Sequence, residues 1–228
     1  MTEPEELKIV ETADGSNTIF NPLVGENYHS THGALQESRH VFIDAGLAYF
    51  LGREPEKKSV SIIEVGFGTG LNFLLSADYC SNKAIGLTYT GIEPFPLSPE
   101  MIRQTGYGQY TNANTWKHFI EKYKESINSR TSMAPNCELE ITVGKLQDFH
   151  SEHTFDIVYF DAFASGKQPE MWTQEILGHT IKFLKTGGVF VTYAITGNLK
   201  RALKGLNCTI EKAKGAPGKR EMLRAIRL

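Results

Sequence analysis

The β-branched run Val60-Ser61-Ile62-Ile63 leads through Glu64-Val65 into Gly66-Phe67-Gly68-Thr69-Gly70, and then into a helical pattern at Leu71, Phe73, Leu74 and Leu75. A strand that breaks into closely spaced glycines and resumes as a helix predicts a loop that cradles a nucleotide. Glycine admits φ > 0 and lets the backbone approach a ligand without a Cβ in the way. The helix that follows offers unpaired N–H groups at its start. The dinucleotide fingerprint G-x-G-x-x-G would require its third glycine at Leu71, so that template fails. What remains is G-x-G-x-G with an acid, Glu64, two residues ahead of the first glycine. A turn with only a packing role is the alternative.

The rest of the chain is consistent with one α/β domain built around this unit. A length of 228 residues suffices for one sizeable core. No apolar run approaches the roughly 20 residues that span a bilayer. The N-terminus, Met1-Thr2-Glu3-Pro4-Glu5-Glu6, lacks the basic and apolar regions of a signal peptide. Cys80, Cys137 and Cys208 are odd in number and far apart, which fits reduced thiols and a cytoplasmic setting. The seven histidines form no ligand spacing with cysteines or carboxylates, so no metal site is expected.

Residues 1–58 read as an irregular or small β segment followed by a helix over 33–51, and residues 59–228 as the core. Strands are expected at 60–65, 85–93, 138–143, 155–160, 188–194, 207–212 and 220–227. Helices are expected at 70–79, within 98–128, at 168–184 and at 197–205, with a short helix or turn near 145–149. Strands alternating with helices imply a parallel sheet. The last two strands, joined by Lys214-Gly215-Ala216-Pro217-Gly218, can only be antiparallel.

In such a sheet, ligands sit at the carboxyl ends of the strands near the switch in strand order. The first core strand ends at the glycine loop and the second at Glu93, whose carboxylate suits a pair of ribose hydroxyls. The apolar strand Asp156-Ile157-Val158-Tyr159-Phe160 runs into Asp161. Each acid has a blander role open to it, as a helix cap or surface group. The net charge of −2 hides a basic end, with nine cations against two acids in residues 198–228. That end either meets phosphates or is a solvated surface.

The acid followed by G-x-G-x-G resembles the first motif of S-adenosylmethionine (SAM)-dependent methyltransferases. In finer detail, five segments resemble the methyltransferase domain of the bifunctional tRNA-modifying protein MnmC and its stand-alone relatives. They are Glu37-Ser38-Arg39-His40-Val41-Phe42, Gly66 to Leu74, Glu93-Pro94-Phe95-Pro96-Leu97, Asp161-Ala162-Phe163-Ala164 with Pro169-Glu170-Met171-Trp172-Thr173, and Gly218-Lys219-Arg220-Glu221-Met222. The resemblance covers about residues 24–224. It implies a Rossmann-like class I fold, a seven-stranded, mostly parallel sheet with a C-terminal antiparallel pair. It also implies SAM as cofactor, and conversion of 5-aminomethyl-2-thiouridine at the tRNA wobble position to 5-methylaminomethyl-2-thiouridine.

Carried over residue by residue, Gly66, Gly68 and Gly70 would cradle the methionine part of SAM with Glu64 nearby, Glu93 would bind its ribose, and Phe67, Thr69, Asn72 and Asp161 would also contact the cofactor. Asp161 would stand beside the transfer site, with Phe163 walling the pocket. Trp172 would support that loop or fill the core. Tyr28, Ser30, Glu37 and Arg39 would cover SAM or the target base. Lys200, Arg201, Lys219 and Arg220 would meet phosphates of the anticodon loop, orienting the RNA without reading its sequence. Two departures stand out. Gly144-Lys145 replaces the family's Gly-Asp, the acid that meets the adenine amino group, leaving Gln147, Asp148 or backbone groups to substitute. No FAD-dependent oxidase domain follows Leu228, so a separate enzyme would have to supply the aminomethyl group. Two other functions fit the same loop: a methyltransferase of a small-molecule amine, and a non-catalytic SAM-fold partner subunit.

Overall fold

The computed structural model describes residues 6–228; the acidic stretch Met1 to Glu5 lies outside the described residues. Strands β1 (Lys8–Glu11), β2 (Asn17–Asn21) and β3 (Glu26–Asn27) form a small antiparallel sheet. A helical run follows: α1 (Ala34–Ser38), a π-helical stretch over Arg39–Ala48, and α2 (Tyr49–Arg53). The core then alternates β4 (Ser59–Val65), α3 (Leu71–Asn82), β5 (Gly86–Glu93), α4 (Pro99–Gln104) and α5 (Ala113–Lys122). It continues through β6 (Thr131–Ala134), β7 (Cys137–Val143), β8 (Phe155–Phe160), α6 (Gln174–Lys182), β9 (Leu184–Thr192) and α7 (Gly197–Gly205). The hairpin β10 (Cys208–Lys214) and β11 (Glu221–Arg227) closes the chain.

The main sheet has the order β10-β11-β9-β8-β4-β5-β7-β6. The block β9-β8-β4-β5-β7 is parallel, and β11 pairs antiparallel with β9 and β10. Eight strands are present where seven were expected. The eighth, β6, pairs antiparallel with β7 at the edge, with a bulge between Ser132 and Ala134. Short, polar edge strands carry little hydrophobic alternation, so this one leaves a weak signal. The helix expected over 168–184 is divided: a 3₁₀ turn spans Pro169–Trp172, and Thr173 then caps α6 by accepting from the Ile176 N–H.

Alternation along the strands separates two apolar layers. Ile62, Tyr89, Ile157 and Tyr159 face the helical run, α3 and α5, where Phe42, Leu47, Phe73, Leu74 and Phe119 are buried. Ile63, Val65, Val158, Phe160 and Phe190 face α6 and α7, against Leu177, Ile181, Leu199 and Leu203. The central strand β4 connects through α3 to β5 on one side, while β8 returns on its other side. The switch in strand order thus lies between β4 and β8, and it opens a crevice at their carboxyl ends. Among the described residues, no helix is long and apolar enough to cross a membrane.

Candidate active site

A cavity of about 970 Å³ occupies that crevice. Its floor is the loop after β4. Gly66 and Phe67 both donate their N–H to Ile92 O, at 3.0 and 3.2 Å, and Asp161 N–H donates to Val65 O at 2.9 Å. These bonds tie the ends of three adjacent strands together. Gly66 (φ 85°) and Gly68 (φ 51°) take left-handed conformations, and both are also closely covered. A Cβ on Gly66 would stand 2.6 Å from Asp161 O, and one on Gly68 2.9 Å from the Tyr28 ring. Any side chain at either position would strain the backbone and displace a wall of the cavity.

Glu93, nearly buried at the end of β5, accepts from Gly68 N–H at 2.9 Å and from Phe95 N–H at 3.0 Å. Each carboxylate oxygen keeps a second lone pair for a ligand hydroxyl. Asn72, in the first turn of α3, donates from Nδ2 to Glu64 Oε1 at 2.7 Å and to Asp161 Oδ2 at 3.0 Å. Glu64 also accepts from the Tyr89 hydroxyl at 2.8 Å. Glu64 is fully buried and lies behind the wall rather than in it; its visible effect is to hold Asn72. Burial, with the negative charge of Asp161 beside it, pushes the Glu64 carboxyl well above the usual range.

Asp161 faces the cavity, and among the described residues its Oδ1 makes no hydrogen bond. Burial and the charge of Glu37 raise its pKa to about 8, against the opposing pull of the Asn72 hydrogen bond and the Lys219 ammonium. Beside Asp161 the cavity is walled by Tyr28 and Phe163, whose rings meet edge to face at 5.4 Å. Trp172 Nε1–H donates to Phe163 O at 2.8 Å and steadies that loop. Glu37 accepts from Ser30 N–H at 3.0 Å and from Lys219 Nζ at 2.7 Å.

Phe67 borders the cavity, but its ring turns inward onto Tyr89 and Phe119 and packs in the core. Several other expected residues lie elsewhere. Gly70 begins α3, where a Cβ would meet Phe119, so it packs rather than lines the cavity. Arg39 is exposed and outside the lining. Lys200 and Arg201 lie on α7, also outside it. Of the neighbouring pair, Lys219 points into the cavity, while Arg220 borders an adjoining depression of about 360 Å³ with Tyr193, Ala194 and Ile195. Tyr193, just past the carboxyl end of β9, was missed, although its position alone nominates it. Its hydroxyl donates to Ala162 O at 2.9 Å.

The pattern for S-adenosyl-L-methionine-dependent methyltransferases matches residues 110–227, more than half of the chain. The chain belongs to this family. It is 30% identical to the bifunctional MnmC protein of Leptospira borgpetersenii serovar Hardjo-bovis (strain JB197) over 204 residues, covering 86% of this chain and 31% of that protein. It is also 30% identical to the MnmC of Burkholderia mallei (strain NCTC 10229) over 231 residues, covering 90% of this chain and 34% of that one. The chain thus spans about a third of the length of the curated relatives it matches. A crystal structure of MnmC2 from Aquifex aeolicus has the same fold, with a TM-score of 0.76 and 24% identity, covering 99% of this chain and 72% of that one. Magnesium protoporphyrin IX methyltransferase (ChlM) from Synechocystis PCC 6803 shares the fold more distantly, with a TM-score of 0.53 and 9% identity over 86% of this chain and 84% of that one.

The lining fits the cofactor of a SAM-dependent methyltransferase. Asn72 Oδ1 is buried and has no hydrogen-bond partner among the described residues, and the residue lines the cavity. Because Nδ2 is committed to two carboxylates, the oxygen is left to receive a donor such as the cofactor's amino group. The glycine loop forms a cradle that Cβ atoms would fill, and Glu93 lines the same cavity with a lone pair open on each carboxylate oxygen. Lys145 does line the cavity, together with Leu146 and Gln147, whereas Asp148 does not. Of the alternatives to the missing acid, the Gln147 side chain and the backbone beside it thus border the cavity, and Asp148 does not.

Proposed function

We propose that this methyltransferase acts on the primary amine of 5-aminomethyl-2-thiouridine at the tRNA wobble position. The observation that carries the proposal is Asp161, a carboxyl group with a free oxygen beside the glycine loop, in a part of the cavity walled by the Tyr28 and Phe163 rings. The curated relatives named for 5-methylaminomethyl-2-thiouridine biosynthesis support it.

When bound, SAM supplies a methyl group on a positive sulfur, and the acceptor nitrogen must reach it with its lone pair free. Asp161 Oδ1 would accept an N–H of the amine, orient the lone pair and take the proton released as the N–C bond forms and the C–S bond breaks. A pKa of about 8 suits this work, since a general base is most effective when its pKa lies near the operating pH. Positioning by Tyr28, Phe163 and Glu93 would supply most of the rest; well-oriented groups are worth roughly 7–11 kcal/mol. The target base would have to leave the anticodon stack, which costs little in a single-stranded loop. The amine must arrive already formed, so an activity that makes the aminomethyl group acts upstream.

Incubation with SAM and tRNA carrying 5-aminomethyl-2-thiouridine, followed by nucleoside mass analysis, tests the proposal. A wobble nucleoside heavier by one methyl group is expected. Normal SAM binding with methylation only of free small amines would overturn the RNA substrate. Asp161→Asn should lower turnover at least about 100-fold, the low end for a lost general base, with SAM affinity at pH 7 changed only a few fold.

A further inference from the structure

Among the described residues, Lys219 is a cation that lines the cavity and is held by Glu37 and Tyr193. Lys219 lies in the turn between β10 and β11, closed by Lys219 N–H to Ala216 O at 2.8 Å. The turn is pinned to the N-terminal segment: Gly218 has φ 84°, and a Cβ there would collide with the His32 ring. Lys219 Nζ is 2.7 Å from Glu37 Oε2 and lies 3.9 Å above the centre of the Tyr193 ring. An ammonium has three N–H donors. One goes to Glu37, the ring face attracts the charge, and the rest of the head group lines the cavity.

Glu37 already accepts from Ser30 N–H on one oxygen and from Lys219 on the other, which fixes the ammonium in place. Tyr193 joins the cation to Asp161, with its ring under Lys219 and its hydroxyl on the carbonyl of Ala162, the next residue after Asp161. This part of the cavity therefore offers a fixed donor alongside a free carboxylate oxygen.

On the reading above, the acceptor is a pyrimidine with an aminomethyl group on C5. The neighbouring substituent on C4 is a carbonyl oxygen in uracil and an amino group in cytosine. We propose that Lys219 determines specificity by donating to the C4 carbonyl oxygen of the acceptor base while Asp161 holds the adjacent amine. Cytosine would present an N–H to an N–H, leaving both donors unpaired, and sites built to hydrogen-bond one partner reject the mismatched one strongly.

The test compares kcat/KM on matched RNA oligonucleotides carrying 5-aminomethyluridine or 5-aminomethylcytidine, with a SAM titration of every variant. The wild type is expected to favour uridine by about 100-fold, the loss typical of an unmatched charged hydrogen bond. Lys219→Met should bring the ratio to within about threefold, mainly by slowing uridine, with SAM affinity little changed. Lys219→Gln, whose amide can donate or accept, should narrow the ratio by admitting cytidine, and Lys219→Arg should keep the preference. If Lys219→Met slows both substrates equally, or the wild type shows no preference, the assignment is wrong and Lys219 merely supports Glu37. If Lys219→Met no longer binds SAM, Lys219→Gln decides by the same ratio. A wild type that binds SAM yet methylates neither oligonucleotide would remove the amine-acceptor reading itself, and this inference with it.

Discussion

At the centre of the site a single amide, Asn72 Nδ2, donates to two carboxylates, Glu64 at 2.7 Å and Asp161 at 3.0 Å. Replacing Asn72 by Leu keeps the volume but leaves both acids without that partner. A buried group so orphaned costs about 1–3 kcal/mol, and at this chain length each kcal/mol lowers Tm by about 2–4 °C. Asn72→Leu should therefore melt several degrees lower and bind SAM at least tenfold more weakly, as thermal unfolding and calorimetry would show. Asp161 adds a pH dependence. Its folded pKa of about 8 means the carboxyl is mostly neutral at pH 6 and charged above pH 9. A cationic ligand prefers the charged form, so SAM affinity should rise between pH 6 and 8.5, with proton release measurable by calorimetry in two buffers. Asp161→Asn should flatten that rise; an unchanged pH profile would assign the proton elsewhere. The positions of Glu64, Glu93 and Asp161 were legible from strand ends, but the burial of Glu64 behind Asn72 was not, because it depends on the Tyr89 hydroxyl in a neighbouring strand.

Elements were legible where one strand or helix carries its own pattern, as in β4, the glycine loop and α3. Pairwise packing was not. Gly91 reads as an ordinary residue of β5, yet the Phe67 ring lies so close over it that any Cβ would collide. Phe67 in turn belongs to the glycine loop, so Gly91→Val should push that loop toward the cavity. We expect SAM binding to fall at least tenfold while circular dichroism still reports the α/β fold; normal binding would show that the loop tolerates the shift. The opposite end of β4 and β8 has a separate role. Asp156 accepts from Ser61 N–H at 2.8 Å and from Lys57 and Lys185 at 2.9 and 3.0 Å. Burial acts to raise its pKa, but these donors outweigh burial and hold it below the usual value. A depressed carboxyl contributes stability above its unfolded pKa and loses it as pH falls. Asp156→Ala should cost about 1–3 kcal/mol at pH 7, mainly from leaving the Ser61 N–H without its acceptor, because Lys57 and Lys185 are 30% and 42% exposed and stay solvated. The deficit should shrink below pH 4, as urea titrations would reveal, and methyl transfer by the folded protein should persist.

At the scale of the whole molecule, the sheet could be foreseen from alternation and turn chemistry, whereas the closure of the site could not. Closure joins the two ends of the chain: Glu37 meets Lys219 across 182 residues, and Arg224 reaches the carbonyl of Ala45. No local periodicity encodes such contacts. The same closure changes the meaning of the basic C-terminal end. Of its nine cations, Lys212 pairs with Glu221, Lys219 with Glu37 and Arg224 with Glu211, while Arg227 caps carbonyls at the end of α6. Subtracting these four leaves Lys200, Arg201, Lys204, Lys214 and Arg220 without an ion pair among the described residues. Arg220 borders the depression that shares Tyr193 and Lys219 with the main cavity, and α7, which bears Lys200 and Arg201, begins two residues after Ile195 on its rim. If this rim holds the anticodon loop, reversing Lys200 and Arg201 to Glu should weaken tRNA binding and leave SAM binding intact. Two lost contacts to single-stranded phosphates should also reduce the slope of log affinity against log salt by about 1.4. A tRNA titration at several salt concentrations measures both effects, and an unchanged slope would place the RNA on another face of the protein.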